Sequence, residues 1–94
     1  MFVRVVRFTG VTEEKFAAVV ARVNESGGPP PGVESTGLKL LFDASAGTAV
    51  VLQEFATAQD MEAAARFFDA MDPGETPGTR ASVDTCEVKL DVTP

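Results

Sequence analysis

The sequence predicts an α+β domain whose elements follow the order β-α-β-β-α-β. Three observations predict it: a β-hairpin in the middle of the chain, a capped amphipathic helix with a Pro/Gly-rich loop in each half, and an apolar strand near each end. The 94 residues, of which 45% are hydrophobic and 23% charged, suffice for one domain with a modest core. Residues 1–94 are therefore predicted to form a single domain.

The central hairpin is the clearest local pattern. Residues 38–43 and Thr48–Phe55 are two runs rich in apolar, β-branched or aromatic residues. Between them, Asp43, Ser45 and Gly47 supply turn chemistry, because Asp and Ser bond their own backbone and Gly tolerates positive φ. The two runs are therefore predicted to pair as antiparallel strands.

The first half of the chain contains a strand and a helix. The Val and Phe content of Phe2–Thr9 predicts a strand with Arg4 on the same face as its phenylalanines. Thr12 is the expected N-cap of a helix that ends near Ser26, before two glycines and the prolines of residues 29–32. Helical spacing places four apolar residues on one stripe: Phe16, Val19, Val20 and Val23.

The second half repeats this order. Thr57 is predicted to cap a second helix, with Asp60 three residues later, and residues 72–80 form a Pro/Gly-rich loop. The buried stripe of this helix is predicted to contain Met61, Ala64, Ala65, Phe68 and Met71. Alternation over residues 82–92 predicts a final strand. Its helix-facing residues are expected to be Cys86, Val88, Leu90 and Val92.

With right-handed crossovers, two such halves interleave into a ferredoxin-like βαββαβ plait. This fold has a four-stranded antiparallel sheet with both helices on one face.

Composition excludes several classes of function. The net charge of −6, with basic residues scattered along the chain, argues against nucleic-acid binding. The chain has no His, Trp or Tyr and a single cysteine, so we expect no metal and no cofactor. Without a membrane-spanning run or a signal-peptide pattern, the expected location is cytoplasmic. Cys86 is expected to be a buried, unreactive thiol.

The sheet face opposite the helices is predicted to bind a second copy of the chain. Its centre combines five aliphatic residues: Val3, Val5, Leu41, Val50 and Leu52. Its margins are charged: Arg7, Lys39, Asp43, Glu54, Glu87 and Lys89. A solvated face rarely keeps so many central aliphatic residues, so we expect a homodimer formed through this face.

An ion-pair cluster is also expected on this face, formed by Arg7, Lys39, Glu54 and Glu87. Glu54 and Glu87 would act as a catalytic acid and base only if they meet.

One passage resembles a known family. Residues 50–61, V-V-L-Q-E-F-A-T-A-Q-D-M, and the Pro31-Gly32-Val33 turn are similar to the dimeric α/β-barrel superfamily, closest to its antibiotic-biosynthesis-monooxygenase-like proteins. The resemblance implies a dimeric α/β barrel whose ligand lies between sheet and helices. Known members include cofactor-independent oxygenases and haem-degrading enzymes. Phe55 stands where Trp is usual, Ala64 lies near the usual His, and Asn24 is the only asparagine.

Two polar residues, Arg4 and Gln53, fall on the apolar face beneath the helices. Together with Phe42, Phe55 and Phe68 they are the candidate ligand-binding residues, suited to a small, largely apolar molecule with an acidic or carbonyl group. Alternatively, Arg4 extends to solvent and Gln53 bonds a loop backbone.

The predicted function is therefore small-ligand binding, or a non-catalytic dimeric barrel module, because the catalytic residues usual in the family are missing. Two alternatives stay open. One is a cofactor-independent, monooxygenase-like enzyme acting on an aromatic or polyketide-like substrate. The other is a purely structural dimer domain with a filled core.

Overall fold

The computed structural model describes residues 1–28, 33–70 and 76–93 of the chain. Its six elements are β1 (Phe2–Thr9), α1 (Glu13–Ser26), β2 (Gly37–Asp43), β3 (Thr48–Phe55), α2 (Ala58–Asp69) and β4 (Thr79–Glu87). The strands form one antiparallel sheet in the order β2-β3-β1-β4, and both helices lie on the same face of it. The predicted order of elements and the ferredoxin-like α+β fold are confirmed.

The hairpin has the predicted turn chemistry. The Asp43 carboxylate accepts hydrogen bonds from the Ser45 hydroxyl at 2.7 Å and from the Ala46 backbone N–H at 3.2 Å. The Ser45 bond is the main reason that the pKa of Asp43 lies below its ordinary value. Gly47 adopts a φ of 65°, as this left-handed turn position requires. The turn therefore fixes the register of β2 against β3.

Both helices begin at the predicted caps. The hydroxyl of Thr12 accepts the N–H of Lys15 at 3.2 Å, and that of Thr57 accepts the N–H of Asp60 at 3.1 Å. Gly27, with a φ of 69°, ends α1 in a left-handed C-cap. The predicted connector at residues 29–32 and the predicted stripe residue Met71 lie outside the described residues.

The predicted bounds of the last strand were wrong. β4 comprises Thr79–Glu87 rather than residues 82–92. Its partner β1 sets the limit, because Phe2, the first residue of β1, lies opposite Glu87. One more backbone bond follows, from the Val88 N–H to the Met1 carbonyl at 2.9 Å. The alternating apolar residues beyond it have no sheet face to cover, and Leu90 is 80% exposed.

The register also reverses the predicted faces of β4. Residues directly opposite in an antiparallel pair share a face. Cys86 lies opposite Val3, on the face away from the helices, and is exposed, so the predicted buried thiol was wrong. Glu87 lies opposite Phe2, on the helix face, whereas Glu54 lies opposite Val3. These two carboxylates cannot act as a pair, and the predicted four-residue ion-pair cluster is reduced to a 3.9 Å contact between Lys39 and Glu54.

A β-bulge interrupts the β1–β4 pairing. Arg7 lies opposite Ser82, but the next residue, Phe8, lies opposite Arg80, so Ala81 has no partner. The additional residue reverses the alternation upstream of it. Arg80 consequently shares the helix face with Phe8, whereas uninterrupted pairing would place it on the opposite face.

Within the described part of the chain, the core forms two clusters on the helix face of the sheet. One contains Val6, Phe8, Val11 and Ala49, with Phe16, Phe42 and Val51 packed against it. The other contains Val33, Phe55, Met61 and Ala64, with Phe2 and Phe68 against it. α2 contributes Met61 and Ala64 to the core, whereas none of the residues of α1 is fully buried. Across the described residues, no helix has the length and apolar character needed to cross a membrane.

Candidate ligand-binding site

A cavity of about 690 Å³ lies between α1, the end of α2 and the sheet. It exists because α1 contacts the sheet mainly at its N-terminal end, where Phe16 stacks on Phe42 with ring centroids 4.8 Å apart. Farther along the helix, Val19 and Val23 line open space instead of packing. Most of the remaining wall is apolar, and β1, β2 and β3 form its sheet side. Leu38, 43% exposed, also lines the cavity, which therefore opens to solvent.

Arg4 is the buried charge of this site, with only 3% of its surface exposed. Its Nη1 donates to the Oε1 of Gln53 at 3.0 Å, and its guanidinium carbon lies 5.6 Å from the ring centroid of Phe68. Its Nε is buried and has no hydrogen-bond partner among the described residues. Burial is the main reason that the pKa of Arg4 is lowered, but a guanidinium stays protonated at neutral pH.

Asp69, the last residue of α2, joins two arginines. Its Oδ1 accepts from Nη1 of Arg80 at 2.7 Å and from Nη2 of Arg4 at 3.4 Å. The hydrogen bond from Arg80 is the main cause that holds the pKa of Asp69 below its ordinary value. The Asp69 side chain is 54% exposed. Two guanidinium groups and one carboxylate thus meet at the edge of the cavity.

Strand register brings the polar residues together. Arg4 lies directly opposite Gln53 in the β1–β3 pair, so their side chains share the helix face. The bulge at Ala81 turns Arg80 to that same face, where it meets the C-terminal end of α2. The loop before β4 also contributes, because Thr76 and Pro77 line the cavity.

Four of the five candidate residues line the cavity, namely Arg4, Gln53, Phe55 and Phe68. Phe42 does not; it stacks on Phe16, at the end where α1 contacts the sheet. The alternative in which Arg4 extends to solvent is wrong, because Arg4 is buried and Gln53 bonds it.

Sequence reasoning missed Arg80 and Asp69. Arg80 fell in a predicted loop, so no sheet face was assigned to it. Asp69 lies one residue after Phe68 of the predicted stripe, and its acidic character at a helix end was an available signal.

The chemistry that this arrangement supports is recognition of a small molecule. Apolar walls exclude water, Arg4 and Arg80 offer N–H donors to an anion or carbonyl, and Gln53 fixes the Arg4 guanidinium. The described ranges contain no group of three or more His, Cys, Asp or Glu side chains able to hold a metal ion.

Comparison with protein-family models, curated proteins and solved structures gave no match to this chain.

Proposed function

We propose that this protein binds a small, largely apolar molecule in the cavity between α1 and the sheet. The observation that carries the proposal is the cavity itself, about 690 Å³ in a chain of 94 residues. Ligand-binding clefts in proteins occupy roughly 300–1,000 Å³, and this solvent-open cavity lies within that range. A space of this size favours ligand binding over a purely structural domain with a filled core.

The buried guanidinium of Arg4 supports the same proposal. Burying a charged group with an unbonded N–H costs on the order of 1–3 kcal/mol, and a purely structural core would avoid it. Arg4 nevertheless lies at the cavity wall with its Nε unbonded among the described residues. Such a group is useful where it orients a polar end of a bound molecule.

We propose binding rather than catalysis. The chain has no histidine to serve as a general base. Ala64, near the position of the usual His in antibiotic-biosynthesis-monooxygenase-like proteins, is wholly buried in the second core cluster. Phe55, in place of the usual Trp, lines the cavity as an apolar wall. We infer that the chain shares the architecture of that superfamily and its ligand position without its catalytic set.

We further propose that two copies associate through the open face, defined by Val3, Val5, Leu41, Val50 and Leu52. Register places all five on the face away from the helices. Leu41, on the edge strand β2, is 48% exposed in a single copy. Both signs of charge border these residues, with Arg7 opposite Val50 and Asp84 opposite Val5. A second copy offers the same apolar centre and both signs of charge at its margin, as a self-complementary interface requires.

The ligand proposal is tested by titrating the protein with N-phenylnaphthylamine, an uncharged dye that fluoresces in apolar surroundings. The wild-type protein lacks Trp and Tyr, and the dye is excited at a wavelength longer than an indole absorbs, so protein fluorescence does not interfere in the Trp variants either. Val19→Trp places a large ring in the cavity, and we expect it to weaken dye binding about fivefold or more. Val20→Trp is the matched control, because Val20 is also half-buried on α1 but does not line the cavity.

Equal affinity of the wild-type protein and the Val19→Trp variant would mean that the dye binds elsewhere. No binding by the wild-type protein, of this dye or of any molecule retained in native mass spectrometry, would overturn the proposal.

The dimer proposal is tested by native mass spectrometry and sedimentation at micromolar concentration. Leu41→Asp buries a carboxylate in the interface and is expected to raise the dimer Kd about 100-fold. Leu38→Asp is the matched control, since Leu38 lies on the same strand with similar exposure but on the helix face. A monomeric wild-type protein would rule the interface out.

A further inference from the structure

The charges around the cavity are strongly biased. The chain carries 14 acidic and 8 basic residues. Of the described residues that line the cavity, however, the charged ones are Arg4, Arg22 and Arg80, and none is acidic. The charged groups that line this space among the described residues are thus all cationic, and the one carboxylate that bonds two of them, Asp69, lies at its edge. A positive, partly desolvated wall favours anions over neutral or cationic molecules of the same shape.

Asp69 indicates which anion the site recognises. A single carboxylate oxygen accepts hydrogen bonds from both Arg4 and Arg80. The two guanidinium groups therefore already stand at the spacing that a carboxylate needs to contact both. The contact with Arg4 is long, 3.4 Å, and the Asp69 side chain is 54% exposed at the end of its helix. The pair between Asp69 and Arg80 is solvent-exposed, and exposed ion pairs contribute little to stability, so another carboxylate can displace this one.

We infer that the occupant of the cavity is a monocarboxylic acid with an apolar body, whose carboxylate binds Arg4 and Arg80 in competition with Asp69. The inference rests on the proposed ligand-binding function and names the class of ligand. The apolar body lies against the wall that includes Leu40, Val51 and Phe55, and the carboxylate reaches the arginines at the cavity's edge. Binding breaks the bridge between the end of α2 and β4, because both arginines turn to the ligand.

Two fluorescent probes of nearly equal shape test this inference. Pyrenebutyrate carries the carboxylate, and pyrenebutanol replaces it with a hydroxyl. At neutral pH a carboxylic acid, whose pKa is about 4–5, is ionised. We expect the wild-type protein to bind the acid about tenfold more tightly than the alcohol, because charge-assisted hydrogen bonds contribute more than neutral ones.

Variants of Arg80 and Asp69, the two exposed residues of the bridge, distinguish a carboxylate-binding role from a structural one. Arg80→Gln is expected to weaken binding of the acid about tenfold and that of the alcohol about threefold or less, because only the acid loses a charge-assisted hydrogen bond. Asp69→Asn removes the competitor and is expected to strengthen binding of the acid about threefold. Arg80 is chosen over Arg4 because it is 44% exposed and its loss should not unfold the protein.

The controls change charge equally on the opposite face. The control variants are Arg7→Gln and Asp84→Asn. Arg7 lies on β1 and Asp84 on β4, and both side chains are on the face away from the helices. Each is expected to change the affinity for the acid less than about twofold, because distant exposed charges are screened.

The outcomes distinguish this inference from the proposed function. If acid and alcohol bind equally well, the cavity binds ligands but the carboxylate preference is wrong. If Asp69→Asn weakens binding of both probes alike, Asp69 is structural and the competition is wrong. If neither probe nor the uncharged naphthylamine binds, the proposed function itself fails.

Discussion

The two helices start alike and end differently. α1 and α2 each begin at a Thr cap, each carries one apolar stripe, and they differ by only two residues in length. Yet α2 buries Met61 and Ala64 against the sheet, whereas α1 buries no residue completely. The alanines of α2 let its backbone approach the sheet, and Phe16 of α1 holds the start of that helix above Phe42. One helix closes the core and the other encloses the cavity.

The comparison predicts that truncating a stripe residue matters far more on α2. Met61→Ala leaves a cavity in a packed cluster, and its unfolding free energy is expected to fall by about 2–5 kcal/mol. Val23→Ala, at a position already 36% exposed beside the cavity, is expected to cost less than about 0.5 kcal/mol. Urea denaturation of both variants measures the difference. Similar losses would mean that α1 packs on the sheet as tightly as α2.

Enlarging a residue gives the converse test. Ala64 is completely buried, so Ala64→Leu is expected to lower the unfolding free energy by about 1–3 kcal/mol through overpacking. Val19→Leu adds one methylene beside empty space, and its midpoint of urea denaturation should stay equal to that of the wild type or rise slightly. A destabilised Val19→Leu variant would contradict the assigned position of α1.

The N-caps should behave alike, since their geometry is nearly the same. Thr12→Ala and Thr57→Ala each remove one hydrogen bond to a backbone N–H and are each expected to cost about 1 kcal/mol. Thermal unfolding of the two variants checks this. A large difference between them would show that the helices already differ at their first turns.

The smallest expected effect concerns the bond that ties α2 to β4. Because Arg80 holds the pKa of Asp69 below its ordinary value, ionised Asp69 stabilises the folded protein above its unfolded pKa, about 4. This contribution disappears as the pH falls through the lower, folded pKa. The Asp69→Asn variant is therefore expected to differ from the wild type in urea midpoint near neutral pH and to match it in strong acid. Arg80→Gln should show the same convergence, and a gap that widens in acid would refute the linkage.

Local patterns sufficed for much of the fold. The hairpin turn at Asp43 and Gly47 and the caps at Thr12 and Thr57 depend on residues close in sequence, and all were predicted. The end of β4 was not predicted, because alternation beyond Glu87 cannot reveal that the partner strand has no residue before Phe2 to pair with it.

The site was predictable only in part. Arg4 could be predicted because it is an arginine on an otherwise apolar strand face. Its contact with Asp69 could not, because the two residues are 65 positions apart in sequence. The distance between α1 and the sheet depends on the sizes of the side chains that pack between them, such as Phe16 and Phe42, and helical periodicity does not predict it.

Because of the bulge at Ala81, the charge of this site depends on the pairing register of β4. Every side chain of β4 downstream of it keeps its face whether or not the additional residue is present, since Ser82–Arg7 pairing continues regularly to Glu87. The residues upstream depend on Ala81 staying out of the ladder. If Ala81 paired directly with Phe8, Arg80 would lie opposite Thr9 and its guanidinium would move to the face of Arg7 and Cys86, which would change the charge of the cavity although no residue had been altered. Deletion of Ala81, in contrast, would leave Arg80 opposite Phe8 and on the helix face. In this strand, the pairing register determines electrostatics as firmly as residue identity does.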